Sequence, residues 1–209
     1  MPPKKNPSID SGGTKKHIDS GGTKKHIQEV ALSLFEELGF DETSIPMICE
    51  KAGIAKTTFH YYFPRKQDLF EDMYNFFEER YNNSFHRILE QDSYTQQIWE
   101  IFRIMFEGDT YYGVTTTQHY FLQRLKEHDQ RRFIDSIYHK KMLVATIRSA
   151  QKAGQILNRS SAEKLAEALS YAGRGVILTW AIENGTMNLI DCGKEVIRSI
   201  ICPAEGFDI

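Results

Sequence analysis

Apolar residues recur at the spacing of an α-helix along most of this chain, and no segment alternates apolar and polar residues long enough to predict a strand. The clearest run has its apolar residues three and four positions apart: Ile27, Val30, Ala31, Leu34, Phe35 and Leu38. Thr23 is the candidate N-cap of this first helix, and Gly39 ends it. The pattern predicts an all-α fold, because a helix brings residues at this spacing onto one face.

A second, shorter helix is delimited by the residues at its ends. Thr43 and Ser44 can cap its start, and Pro46 lies in the first turn, where the missing N–H costs little. Gly53 ends this helix, and a third helix is predicted over residues 54–63.

The rest of the chain is predicted as helices separated by polar breaks. After Pro64 they cover residues 66–89, 94–107, 115–126, 129–153, 160–184 and 188–201. Ser160 and Glu163 form a capping box, while Asn184-Gly185 and Pro203 mark the ends of the last two helices.

Length and composition are those of a folded globular protein with one small and one medium domain. The hydrophobic (41%) and charged (26%) fractions exclude a wholly disordered or collagen-like chain. We place the small domain at residues 24–66 and the larger one at residues 67–209. Residues 1–66 hold 10 Lys and Arg against 8 Asp and Glu, and the remainder holds 16 against 20, which weakly favours a polyanionic partner for the N-terminal part.

A tandem repeat precedes the first helix. The nine residues IDSGGTKKH occupy positions 9–17 and recur without change at positions 18–26. Their Gly, Ser and Lys content predicts a flexible basic arm over residues 1–23. Two interpretations remain open: an arm that follows DNA phosphates, or a duplication without function.

Several features predict a cytoplasmic protein. No apolar stretch approaches the length of a membrane span, and the N-terminal region has no apolar signal segment. Cys49, Cys192 and Cys202 are odd in number and lack metal-ligand spacing, which is typical of a reducing compartment. A redox role for Cys192 or Cys202 is the less favoured alternative.

The segment between residues 27 and 69 has the spacing of a helix-turn-helix, with a tight turn after Ala52-Gly53 and a new helix near Ala55. This segment resembles the DNA-binding domain of the TetR family of transcriptional regulators. The matching residues are Gly39-Phe40, Thr43-Ser44, Ile48, Ala52-Gly53, Lys56-Thr57-Thr58, His60-Tyr61, Phe63, Lys66 and Leu69. The C-terminal two thirds of the chain, roughly, match that family only in helical layout.

The resemblance implies a set of DNA contacts and a set of core residues. The residues expected at the DNA are Ser44, Lys56, Thr57, Thr58, His60, Tyr61 and Lys66. Lysine can donate to guanine, threonine methyls can contact thymine, and Ser44 and Lys66 can bind phosphates. Phe59 and Phe63 are expected in the core. Tyr61 could instead pack in an aromatic cluster, but Tyr62 can take that role.

Three residues depart from the pattern of the family. His60 stands where a phosphate-binding Tyr is usual, although imidazole can still donate a hydrogen bond. Cys49 replaces the common Ala. Ala55 replaces a Ser or similar cap, so the third helix would depend on Thr57 or Thr58 for a cap.

For the C-terminal domain the resemblance implies dimerisation and the binding of a small organic molecule. The homodimer would act as a repressor that releases a palindromic operator when the ligand binds. The candidate ligand-binding residues are Trp99, Phe102, Met105, Phe106, Tyr120 and Phe121, within an aromatic-rich stretch that also holds Tyr111 and Tyr112. Filling the core is the alternative role for these aromatics. The candidate dimer residues, on the last two helices, are Leu169, Val176, Trp180, Val196, Ile197 and Ile200.

No catalytic, cofactor or metal motif stands out, so we expect a protein that is not an enzyme and binds no cofactor or metal. The Gly173-x-Gly175 pair lies within a predicted helix, which favours close helix packing over nucleotide binding. A second hypothesis stays open: an effector-free DNA-binding architectural or partner-binding dimer whose C-terminal helices are purely structural.

Overall fold

A computed structural model describes residues 20–69, 84–127 and 137–209. The described helices are α1 (Ser20–Leu38), α2 (Ile45–Ala52), α3 (Lys56–Tyr62), α4 (Phe85–Leu89), α5 (Tyr94–Tyr112), α6 (Val114–Glu127), α7 (Ile137–Lys152), α8 (Ala162–Ile182) and α9 (Leu189–Ile201). Within these residues the β-pairing is one isolated bridge between Ile156 and Pro203. The all-α prediction is confirmed.

Helix α1 starts earlier than its sequence predicts. It begins at Ser20, so Thr23 lies inside the helix and does not cap it. Two interactions support this longer start: Lys25 pairs with Glu29 one turn further on, and Ile27 is fully buried. The second copy of the repeat is therefore largely helical, whereas the first copy lies outside the described residues.

Thr43 and Ser44 have separate roles at the loop between α1 and α2. Ser44 caps α2 by accepting a hydrogen bond from the backbone N–H of Met47. The buried Thr43 hydroxyl instead donates to the carbonyls of Leu34 (3.2 Å) and Gly39 (2.8 Å), at the end of α1. The sequence prediction of a cap at α2 is thus confirmed for Ser44 and wrong for Thr43.

The later helices differ from their predictions mainly at the ends. Helix α5 continues to Tyr112, and α8 is capped by Ser161, not by Ser160. Ser160 cannot serve as that cap because Asn158 and Gln151 hold its backbone N–H and carbonyl outside the helix. The predicted helix over residues 66–89 falls partly outside the described residues, and its last part is the separate helix α4.

Two apolar clusters form the core. The N-terminal cluster joins α1, α2 and α3 around Phe35, Phe59 and Phe63. The larger C-terminal cluster joins α4 to α9, and in it α9 crosses α5 so closely that a Cβ at Gly193 would clash with the Phe106 ring. Gly173 similarly lies against α5, which confirms the packing interpretation for this glycine.

The two clusters meet where α5 turns into α6. Tyr112, the last residue of α5, is buried in the N-terminal cluster. Gly113 follows with a positive φ of 82°, and a Cβ there would clash with the carboxylate of Glu36 from α1. That carboxylate accepts a hydrogen bond from the Thr116 N–H (3.1 Å) in the first turn of α6. Glu36 thus caps a helix of the other domain, where the helix dipole favours negative charge.

A carboxyl group is buried one turn before this junction. Asp109 on α5 is only 3% exposed, and its Oδ2 atom has no hydrogen-bond partner among the described residues. Burial raises the pKa of Asp109 to about 8, although a hydrogen bond with Thr117 on α6 opposes the shift. Asp109 is therefore mostly protonated in the folded protein at pH 7.

We expect the Asp109→Asn variant to be more stable than wild type by a margin that grows between pH 5 and pH 8. In this range the folded wild type retains a proton that the unfolded chain loses, so its stability falls by up to ~1.4 kcal/mol per pH unit. The neutral amide removes this dependence. Thermal melts at pH 5 and pH 8 measure this margin in stability, and the Asp92→Asn variant, at an exposed position, is the control. An equal margin at the two pH values would mean that Asp109 is ionised when folded.

Candidate DNA interface

The turn between α2 and α3 sets the geometry of a helix-turn-helix. Gly53 adopts the left-handed conformation (φ 66°, ψ 35°), and its N–H bonds the carbonyls of Cys49 and Glu50. The next N–H, of Ile54, also bonds the Cys49 carbonyl (3.0 Å). Helix α3 then starts after Ala55 without a side-chain cap, so neither Thr57 nor Thr58 provides the cap that the sequence suggests.

Helix α3 divides cleanly into a buried and an exposed face. Phe59 and Phe63 are in the core, as expected. The side chains of Lys56, Thr57, His60 and Tyr61 are exposed, and Thr58 is half-buried. The exposed residues fall at positions i, i+1, i+4 and i+5, which is one face of a helix.

The predicted backbone contacts flank this exposed face. Tyr61 is 78% exposed and touches Tyr62 edge-on, while Tyr62 is half-buried against the N-terminal cluster. His60 directs Nδ1 to the carbonyl of Pro64 (3.1 Å), which leaves Nε2 as the nitrogen able to reach a phosphate. Ser44 is exposed at the start of α2, where its hydroxyl accepts from the Met47 N–H.

Lys66 is placed differently from a simple phosphate contact. Its ammonium donates to the carbonyls of Phe40 (2.6 Å) and Thr43 (2.7 Å), and it lies 4.0 Å from the centroid of the Phe40 ring. Desolvation lowers the pKa of Lys66, against the opposing charges of Asp41 and Glu42. Two of its three donor hydrogens therefore hold the loop between α1 and α2.

The same loop contacts the C-terminal domain through Phe40. The imidazole of His119 on α6 stacks on the Phe40 ring with centroids 3.7 Å apart. Desolvation lowers the pKa of His119, and the charges of Lys126 and Lys66 lower it further, against Asp41. Sequence reasoning missed His119 and Glu36, because contacts between residues about 80 positions apart leave no local pattern. It missed Asp109 because the burial of this carboxyl group depends on how the helices pack.

Comparison with known proteins agrees with this geometry. Residues 27–73 match the family model for bacterial regulatory proteins, tetR family. Its N-terminal domain is a TetR-family helix-turn-helix domain. A curated relative, the uncharacterized HTH-type transcriptional regulator YuxN of Bacillus subtilis (strain 168), is 39% identical over 61 residues. That stretch covers 29% of this chain and only 20% of the relative.

Solved structures of other proteins extend the likeness of fold to the C-terminal domain. Salmonella enterica GusR superposes with a TM-score of 0.62 at 22% identity, covering 90% of this chain and 99% of GusR. FadR from Bacillus subtilis, solved in complex with stearoyl-CoA, has a TM-score of 0.59 at 16% identity, covering 85% and 97% of the two chains. At these identities the TM-scores show a shared fold and no more.

The aromatic residues proposed to bind a ligand are mostly core residues. Trp99, Phe102, Met105 and Phe106 are buried, whereas Tyr120 and Phe121 are half-exposed on α6. A small cavity in this domain is lined by Ile101, Phe102, Met105, His139, Lys140, Leu143 and Ser170. Of the proposed set it contains Phe102 and Met105. Tyr111 is exposed and Tyr112 belongs to the N-terminal cluster, so neither lines this cavity.

Most residues proposed for the dimer interface are also internal. Leu169, Val176, Trp180 and Ile197 are buried in the protomer, and Val196 and Ile200 are half-buried. They pack against the C-terminal cluster because α8 and α9 cover α5, α6 and α7. The exposed face of α8 carries a different set of residues, four or three positions apart: Tyr171, Gly175, Leu178 and Ile182.

Two kinds of feature are absent from the part of the chain that the structure describes. Among the described residues, no three His, Cys, Asp or Glu side chains converge where a metal ion could bind. In the same residues, no helix combines the length and apolar character needed to cross a membrane.

We expect Lys66→Met to destabilise the protein by about 1–3 kcal/mol, because the backbone carbonyls of Phe40 and Thr43 lose a charged hydrogen-bond donor. Methionine keeps an unbranched chain against Phe40, so the variant removes the hydrogen bonds and the cation–π contact of the ammonium but little of the apolar packing. Chemical denaturation measures the loss. The slope of DNA affinity against salt should stay constant. Unchanged stability with a shallower slope would instead assign Lys66 to a phosphate.

Proposed function

We propose that this protein is a transcriptional regulator that binds duplex DNA through α3, and that it acts as a repressor released from a palindromic operator by a small molecule. The exposed face of α3 carries the proposal, because it presents Lys56, Thr57, His60 and Tyr61 while Phe59 and Phe63 anchor the helix. A helix exposed in this way can enter the major groove. Ser44 and Thr58 lie beside that face.

The lining of the cavity in the C-terminal domain matches a small-molecule ligand with an apolar body and an anionic group, although the cavity, at about 20 Å³, would have to widen to hold it. Its walls include Ile101, Phe102 and Leu143, and Lys140 is the charged residue at its edge. Burial lowers the pKa of His139 to about 4, so this imidazole is neutral at pH 7 and can only donate or accept a hydrogen bond. FadR, of similar fold, was solved with stearoyl-CoA.

A homodimer would present two α3 helices to the two halves of a palindrome. The exposed stripe of Tyr171, Gly175, Leu178 and Ile182 on α8 offers an apolar surface for this contact. A Cβ at Gly175 would meet no atom of the protomer, so the backbone there is open to a second helix. Half-buried Val196 on α9 can extend the contact.

We expect Tyr61→Ala to weaken binding to duplex DNA by roughly tenfold without changing its salt slope, because a neutral hydroxyl releases no counterion from a phosphate. Selection from a randomised duplex pool first identifies the sequence that the wild type prefers. Fluorescence anisotropy on that duplex gives the affinities, with Tyr94→Ala on α5 as the control. Recovery of no enriched palindrome, or equal affinities for Tyr61→Ala and wild type, would contradict the proposal.

The ligand proposal predicts that long-chain carboxylates raise the melting temperature more than alcohols of equal chain length, and that they weaken DNA binding. Ser170→Leu, which places a larger apolar side chain at the cavity wall, should reduce both effects. Each stabilising compound is then titrated into the protein–DNA complex to measure its effect on the affinity for DNA. Compounds that bind at the cavity and leave DNA affinity unchanged would favour the alternative function: an effector-free DNA-binding architectural or partner-binding dimer.

For the dimer, we expect Leu178→Glu to shift the protein to monomers, because two carboxylates would face each other across a twofold axis. The exposed Leu89→Glu on α4 is the matched control. Sedimentation at micromolar concentration distinguishes the two states. A wild type that already sediments as a monomer would remove the dimer from the proposal.

A further inference from the structure

His60 lies in the last turn of α3, on the face proposed to meet DNA, and its side chain is exposed. Histidine is the residue type that ordinarily changes its charge between pH 5 and 8. In the neutral ring one nitrogen carries a proton and donates, while the other nitrogen can only accept a hydrogen bond. The nitrogen that carries the proton therefore determines what His60 can bind.

The backbone after α3 assigns that proton to Nδ1. This atom lies 3.1 Å from the carbonyl oxygen of Pro64. A carbonyl oxygen can only accept a hydrogen bond, so Nδ1 is the donor. The ring also packs edge-on against Phe59, with centroids 5.6 Å apart, which is a second contact that orients it. In the neutral imidazole held in this way, Nε2 has a lone pair and no proton.

A neutral His60 in this orientation cannot bind a DNA phosphate. The phosphate oxygens are acceptors, and the bare Nε2 is an acceptor as well. When a proton from the solvent binds Nε2, the ring becomes an imidazolium, which has two donors. The Nδ1–H then keeps its bond to the Pro64 carbonyl, and the Nε2–H donates a charge-assisted hydrogen bond to the phosphate.

The charged side chains around His60 do not supply an anion for this proton. The segments around it carry charges of both signs: Lys24 on α1, Glu50 and Lys51 on α2, Lys56 on α3, and Arg65 and Asp68 after α3. Within the described part of the chain, none of them forms an ion pair with His60. Asp68 pairs instead with Arg65 (2.6 Å), and Lys56, one helical turn before His60, opposes a second positive charge. The phosphate is therefore the anion that balances the imidazolium.

We propose that His60 binds a DNA phosphate as an imidazolium, so that each protomer takes up a proton when it binds duplex DNA. This inference rests on the proposed DNA binding through α3 and adds its regulation by pH. The DNA complex holds more protons than the free protein. The affinity is therefore highest at acidic pH and declines as the pH rises through the range in which histidine loses its proton.

The test measures the affinity of the full chain for its preferred duplex at several pH values between 6 and 8, at constant ionic strength. We expect the affinity of the wild type to fall by about tenfold or more over this range. Calorimetric titrations at pH 7, in two buffers with different enthalpies of ionisation, count the protons that are taken up. Binding without proton uptake would overturn the proposal.

Two variants at position 60 replace the proton-dependent donor with a permanent one. The phenol of His60→Tyr and the amide of His60→Gln donate to a phosphate without gaining a charge. Both should bind DNA with an affinity that is constant between pH 6 and 8, and His60→Tyr should bind more tightly than the wild type at pH 8.

His26→Tyr is the matched control, because it makes the same change at the other histidine of residues 20–69, which is also exposed. It should keep the pH dependence of the wild type. Asp109 and His119 are present in every variant, so an effect of either group on DNA binding is common to all of them.

A His60→Tyr variant that keeps the wild-type pH dependence overturns the proposal, and so does a His26→Tyr variant that loses as much of it as His60→Tyr. If pH has no effect on the wild type while Tyr61→Ala still weakens binding, the proposed DNA binding stands and only the proton uptake fails. A wild type that binds no duplex rejects both.

Discussion

The ring of Phe40 is contacted from three directions, and the arrangement of the two domains depends on this burial. Phe35 of α1 packs edge-on against it at 5.0 Å, the Lys66 ammonium lies over it, and His119 of α6 stacks on it. The loop that carries Phe40 also leads into the cap of α2. A displacement of α6 would therefore act on the loop before α2 through Phe40 and on α1 through Glu36, without a change inside α2 or α3.

Local sequence patterns predicted those parts of the molecule that depend on neighbours within a few residues. Helical spacing predicts which face of α3 is exposed. The conformations that Ser and Gly favour predict the cap by Ser44 and the end of α2 at Gly53. The helices that the structure describes after residue 93 follow in the same way. In each case the determining contacts span at most about five residues, which is why a single sequence contains them.

The patterns were insufficient where contacts join distant segments. A lysine at position 66 can bind either a phosphate or two backbone carbonyls, and the sequence does not distinguish these roles. The position of the Phe40 loop brings the two carbonyls within hydrogen-bond distance. Likewise, Leu169 and Ile197 are apolar in either a core or an interface, and the packing of α8 and α9 on α5 assigns them to the core. Asp109 offered no signal, because burial of an acid is a property of the assembled helices.

The capping of α6 by Glu36 bears on attempts to exchange C-terminal domains between proteins of this fold. The cap joins a side chain of the DNA-binding domain to a helix of the other domain, and it requires glycine at position 113. A chimera whose junction lies between α1 and α6 takes Glu36 from one parent and Gly113 and Thr116 from the other. The cap then forms only if both parents have these residues. Such hybrids should therefore keep Glu36, Gly113 and Thr116 together, even though they lie far apart in the gene.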